Sequence, residues 1–315
     1  MALTRSELES VSTPFYTRDI ISQVYELDPF FKKLKQNKSI TTDGGTEIRF
    51  PIRYQELALA EWVNPKEQIA YQQRKTRTSG KLDWKYLVGK TMMQWDEQVQ
   101  NSGKEKLINL QKDKADELID DVYEVMTDAI YATTQETDKP SALVTIIDTG
   151  ETYADVAVSD AASWAGAVED TTTTQLVLYN TSAAIATSMN SATFGPYKPD
   201  LLITSKNLWN TFESKIEPQK RFYSTKGVIG FESLVFHGAD VIAANHCPDA
   251  SLFGITSKFW ELRAHKDFNF KTDPWEDLKQ AGFPNAIIKL CYWVGNVVCT
   301  MRKVNFRYSA LSYTA

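Results

Sequence analysis

Three histidines, His237, His246 and His265, stand among 315 residues, so any chemistry that uses imidazole as base, acid or metal ligand must use one of them. His246 directly precedes Cys247, and a thiol beside an imidazole suggests a metal pair. Adjacent side chains on a strand point to opposite faces, and no second His/Cys pair at ligand spacing follows, so the pattern does not close around a metal ion. His265 lies near Glu261 and Lys266 on a segment whose aromatics read as core and edge, which favours a packed or solvated histidine over a general base. The other cysteines, Cys291 and Cys299, complete neither a CxxC nor an even framework, and that suits a reducing compartment. No GxSxG, HExxH, Walker loop or GxGxxG occurs, and Gly227 and Gly230 read as turn glycines. The eight tryptophans could stack on bases, but they fall at alternating apolar positions with few basic neighbours, so they read as core. No catalytic residue, cofactor-binding residue or metal ligand is predicted.

The elements that would have to position a site are more legible. Ile108, Ala115, Val122 and Ala129 fall seven apart, with Leu118, Ile119, Val125, Met126 and Ile130 in the same stripe, so the spacing predicts one long helix from Trp95 to Thr134. At about 1.5 Å per residue it would run on the order of 50–60 Å, with Gly103 marking a kink or a later start. Between Asp96 and Asp128 the remaining surface carries ten acidic residues, among them Asp113, Asp116, Glu117 and Asp120, against four lysines. That face must be wet. The whole chain is 43% hydrophobic and 24% charged, ordinary values for a globular protein with one large or two medium cores. A net charge of −5 argues against coating nucleic acid. With no basic start leading into an apolar core and no run of about 18 apolar residues, neither secretion nor membrane spanning is expected.

Residues 1–40 read as an extended arm with one or two short helices, around apolar clusters at Ile20–Val24 and Phe30–Leu34 separated by Asp28-Pro29. After the Asp43-Gly44-Gly45 turn, Ile48, Phe50 and Ile52 alternate with Glu47, Arg49 and Arg53. A second strand-like stretch, Ile69–Val88, carries Arg74, Lys75, Arg77, Lys81 and Lys85, with Ser79-Gly80 as a turn in its middle. Together they predict a long β-hairpin, and Thr46–Lys90 holds nine basic against five acidic residues. Two such strands are marginal alone, so a partner surface is expected.

Beyond Asp138-Lys139-Pro140, residues Ile146–Tyr197 hold six acidic residues and no Lys or Arg. Thr171–Thr174 are read as the cap of a helix running through Leu176 to Met189. Then come a buried strand at Leu201–Ile203, a helix capped by Thr204 or Ser205, a loop from Glu217 to Gly230, and a strand, turn and strand over Val235–Ile242. Ser251–Trp260 and Glu261–Phe270 are read as a strand pair. Ala286–Arg307 predicts long strands with a bend or hairpin turn at Gly295-Asn296, returning to the platform beside the long helix.

Three stretches, PYKPDLLITSKNLWNTFES, GFESLVFHGADVIAANHCPDASLFGITSKFWELRAH and FRYSALSYTA, resemble in pattern and order the major capsid proteins of tailed bacteriophages. The resemblance spans essentially the whole chain and implies an α+β, Hong Kong 97-like capsid fold. It departs at Ala244-Asn245, where relatives often carry an aspartate. It implies an N-terminal arm at 1–40, an extended loop at 41–91, a peripheral domain with a spine helix at 92–141 and 268–315, and an axial domain at 142–267. It also implies a structural protein and not an enzyme, with no cofactor. Many copies would form hexamers and pentamers of an icosahedral head around double-stranded DNA, part of the virion and assembled in the bacterial host cytoplasm without membrane contact. A portal and decoration proteins would be partners, and so would a separate scaffolding protein, since no long helical region precedes the arm. On charge, the loop residues Arg74, Lys75, Arg77 and Lys81 are expected to lie on Asp113, Asp116, Glu117 and Asp120 of a neighbouring helix. Some relatives crosslink subunits through a loop lysine and an asparagine. Lys81 and Lys85 have that location, but no glutamate or asparagine partner can be identified. Two competing readings remain: an encapsulin-type compartment of the same fold enclosing an enzyme cargo, and a small-molecule enzyme using His265 and Glu261.

Overall fold

The computed structural model describes residues 28–53, 60, 62, 76–94, 96–97, 104–150, 152–158, 164–166, 168–170, 174–178, 184–216, 234–278 and 286–312. The arm cluster at Ile20–Val24, the loop Glu217–Gly230 and the loop residues Arg74 and Lys75 lie outside the described residues. The first helix, α1 (Pro29–Gln36), begins where Asp28 accepts the Phe30 and Phe31 N–H groups and Pro29 needs no donor partner. Its apolar face, Phe30, Phe31 and Leu34, is fully buried, with Phe30 edge-on to Trp260 at 5.5 Å.

Strand β1 (Ile40–Asp43) leads through the glycine turn to β2 (Ile48–Arg53), which pairs antiparallel with β3 (Arg77–Leu82). Alternation explains the pairing: Ile48, Phe50 and Ile52 are buried. Ser79-Gly80 is not the predicted turn but lies inside β3. Gly80 faces Phe50 because a Cβ there would come within 2.5 Å of Ile52 Cδ1. The break falls at Asp83-Trp84, and β4 (Lys85–Gln94) then leaves the hairpin for the central sheet.

The long helix is α2 (Lys104–Tyr131), 28 residues and so about 42 Å long. It ends at Tyr131, short of the predicted Thr134; Asp96 and Glu97 are also helical, and 95 and 98–103 lie outside the described residues. Ala115, Leu118, Ile119, Val122, Met126, Ala129 and Ile130 are its buried stripe. Gly89 of β4 lets it approach, since a Cβ there would meet Val122 Cγ2 at 2.5 Å and Leu118 Cδ1 at 2.8 Å.

The middle of the chain forms α3 (Leu143–Ile146), β5 (Val168–Asp170), β6 (Thr174–Gln175), α4 (Ile185–Ser191), β7 (Leu201–Thr204), α5 (Lys206–Ile216), β8 (Leu234–Phe236), β9 (Ala239–Ala243) and β10 (Leu252–Ile255). The last part forms β11 (Trp260–His265), β12 (Lys271–Thr272), β13 (Glu276–Asp277), β14 (Ala286–Cys299), β15 (Phe306–Tyr308) and β16 (Leu311–Ser312). Several expectations hold. Leu201–Ile203 is a buried strand, Ser205 Oγ accepts the Leu208 N–H at the start of α5, and β8 and β9 form a hairpin turning at His237-Gly238. Others do not. The helix expected from Thr171–Thr174 starts only after Ala184, with Leu176 and Leu178 in non-helical chain beside β6. Gly295-Asn296 is no turn: β14 runs straight through, and Gly295 accommodates the Trp293 ring and the Arg263 carbonyl, 2.6 and 2.7 Å from where a Cβ would sit.

Two sheets result. In the first, β14 pairs with β11 and β12 along the order β1-β11-β14-β12 and also takes β4 and β13. The second has the order β5-β15-β10-β7-β9-β8. The predicted strand pair at Ser251–Phe270 is therefore split, β10 lying in the second sheet and β11 in the first. The late strand β14 does return to early chain, matching Ala286 to Gln94 through Gly295 to Lys85. The second sheet is apolar on both faces. Leu201, Ile203 and Phe253 join the large core with α1, α2 and the first sheet, while Leu202, Val241 and Leu252 pack with α4 and α5 around Met189, Leu208 and Phe212.

Buried polar side chains join these pieces. Arg302 is fully buried and donates to the carbonyls of Ile146 (2.6 Å), Asp148 (2.9 Å) and Thr145 (3.3 Å), between the Tyr153 and Trp164 rings at 5.6 and 5.8 Å. Asn296 accepts the Ser141 N–H at 2.9 Å and donates to Asp83 O at 3.0 Å, tying β14 to the hairpin exit and to the chain after α2. Neutral and charged donors sealed from water in this way cost little only because each has its acceptor.

Candidate assembly surfaces

The hairpin has one docked face and one free face. Its buried face is held by Arg263, whose Nη1 donates to Arg49 O at 2.8 Å, and by the Lys81 N–H, which donates to Ala154 O at 3.1 Å. The outward face carries Arg77 and Lys81, both exposed, with Arg77 opposite Arg53 and Lys81 opposite Arg49. Arg49 pairs locally with Glu47. Of the four predicted loop cations, Arg77 and Lys81 are thus on one exposed strand, while Arg74 and Lys75 fall outside the described residues. Lys85 is not on the hairpin. It lies on β4, and its ammonium donates to Thr137 O at 2.7 Å.

On α2 the predicted acidic residues Asp113, Asp116, Glu117 and Asp120 are all exposed, together with Asp121, Glu124 and Asp128. The i, i+3 and i+4 spacing that buries one stripe leaves these carboxylates on the other faces. Lys114 turns back, binding Glu97 at 3.0 Å and Met92 O at 3.3 Å. Among the described residues, Arg77 and Lys81 make no ion pair with Asp113, Glu117 or Asp120. The subunit therefore presents two oppositely charged surfaces.

Sequence reading missed an apolar surface. Tyr86, Val88 and Met92 alternate along the free face of β4 and are exposed, Tyr86 by 73%. Their alternation with Leu87, Gly89 and Met93 is visible in the sequence, but taking Ile69–Val88 as one hairpin strand hides it. Where β4 meets α2, Tyr86, Leu87, Val125, Ala129, Pro140 and Trp293 line a small pocket together with the charged Lys85, Asp138 and Lys139. Among the described residues β4 pairs with β14 alone.

The histidines do not assemble a reactive centre. His246 Nδ1 lies 2.6 Å from Asp128 of α2 and edge-on to the Tyr123 ring, and it is not paired with Cys247. Burial pushes the Cys247 thiol far above its ordinary range. His265 packs edge-on to Trp84 and accepts the Asp267 N–H at 3.3 Å. Among the described residues there is no group of three or more side chains that could hold a metal ion. Among the described residues the most perturbed carboxyl is Asp28, which caps α1 out of water. Burial raises it to about 6, opposed by its bonds from the Phe30 and Phe31 N–H groups and the Tyr131 hydroxyl and by nearby His246.

No protein-family profile matches the chain, and no curated protein matches it in sequence. Solved structures do. The cyanophage A-1(L) capsid asymmetric unit matches with a TM-score of 0.61 and 12% identity, over 87% of this chain and 90% of that one. The capsid of a native GTA particle, computed with C5 symmetry, matches at 0.65 and 11% identity over 89% and 90%. The capsid of Myoviridae phage XM1 matches at 0.56 and 12% identity over 88% and 92%. The chain thus has the α+β, Hong Kong 97-like capsid fold that the sequence resemblance implies. No helix among the described residues is long and apolar enough to cross a membrane.

Proposed function

We propose that this chain is the shell-forming subunit of a tailed-phage head, structural and not enzymatic. The observation that carries this is a capsid fold matched along nearly the whole of both chains, at 87–89% of this one and 90–92% of the three neighbours. Copies would close as hexamers and pentamers around double-stranded DNA, with a scaffolding protein, a portal and decoration proteins as partners, in the bacterial cytoplasm and then in the virion. The division into an arm (1–40), an extended loop (41–91), a peripheral domain (92–141 and 268–315) and an axial domain (142–267) belongs to the same reading.

Charge separation on the subunit supports it. The basic loop residues Arg74, Lys75, Arg77 and Lys81 would lie on the carboxylates Asp113, Asp116, Glu117 and Asp120 of the next copy's α2. A surface meeting a different surface is a heterologous contact, the kind that closes rings. Exposed pairs contribute only about 0–1 kcal/mol each, so repetition around each ring carries the effect. A net charge of −5 also suits a container whose DNA must slide and not adhere.

The test is expression of the full chain in bacteria, with and without candidate partner genes, followed by sucrose-gradient sedimentation and nuclease treatment. Fast-sedimenting particles are expected, and in the presence of the packaging machinery they protect double-stranded DNA. Particles that protect an enzyme and no DNA would replace this reading with the encapsulin-type one. A monomer or dimer under all conditions would overturn both.

A further inference from the structure

Two carboxylates are buried among the described residues, Asp28 and Asp148, and the fold treats them differently. Asp148 has the Arg307 guanidinium at 2.9 Å. Asp28, 1% exposed, has no Lys or Arg against it among the described residues. Its oxygens accept the Phe30 and Phe31 N–H groups at 2.8 and 3.4 Å and the Tyr131 hydroxyl at 3.2 Å. A carboxylate taken out of water without a cation is costly, and neutral donors offset part of that cost, whereas the neutral acid is readily accommodated. The titratable groups facing it are Tyr123 and Tyr131 of α2, and His246 and Cys247 of the chain after β9. His246 is turned to Asp128 at 2.6 Å, Asp249 acts on Cys247, and β11 meets α1 through the uncharged Trp260.

Asp28 opens a short strap made of α1 and β1. Among the described residues β1 is an edge strand, paired in parallel with β11, so peeling it away leaves the β11–β14 ladder whole. The strap crosses both sheets. Phe30 packs on Trp260 of the first, while Lys33 reaches Asp200 at 3.4 Å and Asn37 donates to Ser257 at 2.8 Å, beside β7 and β10 of the second. An edge strand and one short helix are the kind of unit that opens ahead of a fold's central ladder.

We infer that residues 28–43 form a pH-gated clamp across the two sheets, tight while Asp28 is a neutral acid and loosened when it becomes a carboxylate. The Asp28 titration near 6, against an ordinary 3.8, sets the window. The acid form's contribution is full below about pH 4 and lost as the pH rises through about 6. Opening returns the carboxylate to water and releases the Lys33 and Asn37 ties between the sheets. The clamp belongs to the single subunit and is independent of the shell-forming reading.

The test is hydrogen exchange by mass spectrometry on the full-length, unassembled chain at about pH 4 and about pH 7, with rates corrected for the intrinsic pH dependence. Amides of 30–43 are expected to be less protected than those of β14 at both values, and their protection to fall about 100-fold from the lower to the higher. Asp28→Asn keeps a capping oxygen and should cut that fall to less than about threefold. Tyr131→Phe removes a donor to the carboxylate and should open the strap more at pH 7 than at pH 4, which tests the gate even if Asp28→Asn fails to fold. Protection of 30–43 equal to that of β14 at both values would mean that the strap opens only with the whole fold, and overturns the clamp. Wild-type protection that does not change with pH, an undiminished fall in Asp28→Asn, or an equal effect of Tyr131→Phe at the two values overturns Asp28 as its gate.

Discussion

Asp28 sets a problem at the scale of one residue. It is sealed from water, caps α1 and accepts the Tyr131 hydroxyl at 3.2 Å, and its carboxyl titrates near 6 against an ordinary 3.8. A folded-state value above the unfolded one means a contribution to stability that is full below about pH 4 and lost as the pH rises through about 6. His246 and Tyr131 of neighbouring elements face it, and Tyr131 is itself raised well above its ordinary range by the same burial. Asn keeps the capping oxygen and carries no charge. Asp28→Asn should therefore stabilise the unassembled subunit at pH 7 by up to about 3 kcal/mol and by little at pH 4, measured by urea unfolding at both values. Equal effects at the two pH values would show that Asp28 is not held as a costly carboxylate. The Asp28-Pro29 pair reads as a helix start in the sequence. Its burial does not, because Tyr131, 103 residues away, closes over it.

At the scale of elements, glycine was the residue that misled. Ser79-Gly80 and Gly295-Asn296 look like turns, yet both glycines sit inside strands where another group crowds the backbone, Ile52 and Phe50 over Gly80 and Trp293 over Gly295. Local sequence encodes a glycine's freedom to turn, while only the packed fold discloses that it is making room. Gly89 is the third case, and it fixes how α2 rests on β4. Gly89→Val should cost about 1–3 kcal/mol in the unfolding free energy, because neither Val122 nor Leu118 can retreat from a sheet and helix already in contact. A wild-type stability for this variant would mean that α2 is not seated on β4. The stripe Ala115 to Ala129 predicted that helix correctly, since seven-residue spacing reports a buried face whatever it packs on.

For the whole molecule, the order of elements was legible and the assignment of strands to sheets was not. A late strand returning to early chain was expected, and β14 pairs with β4. That β10 and β11 part into separate sheets follows from a four-residue connection, Thr256–Phe259, whose Thr256 is bound by Asn305 and Val304 far along the chain. The candidate surfaces divide likewise. Charge patches show in composition, because Lys and Arg leave the middle segment and gather on the loop, but the pocket beside β4 exists only once β4, α2 and Pro140 meet. If the charge patches guide copies together, changing Arg74, Lys75, Arg77 and Lys81 all to Glu should abolish particles at low salt while leaving subunit unfolding within about 0.5 kcal/mol of wild type. Unchanged particle yield on the gradient would remove the loop-to-helix contact from the account.

The central claim, that this chain tiles into a closed shell, is tested most directly by cryo-electron microscopy of the purified full-length protein after gradient sedimentation. The account predicts closed particles with fivefold and sixfold rings of subunits, each subunit showing a long helix beside a sheet crossed by one long strand. A homogeneous population of free monomers or dimers, with no rings at any salt concentration or partner combination, would contradict it.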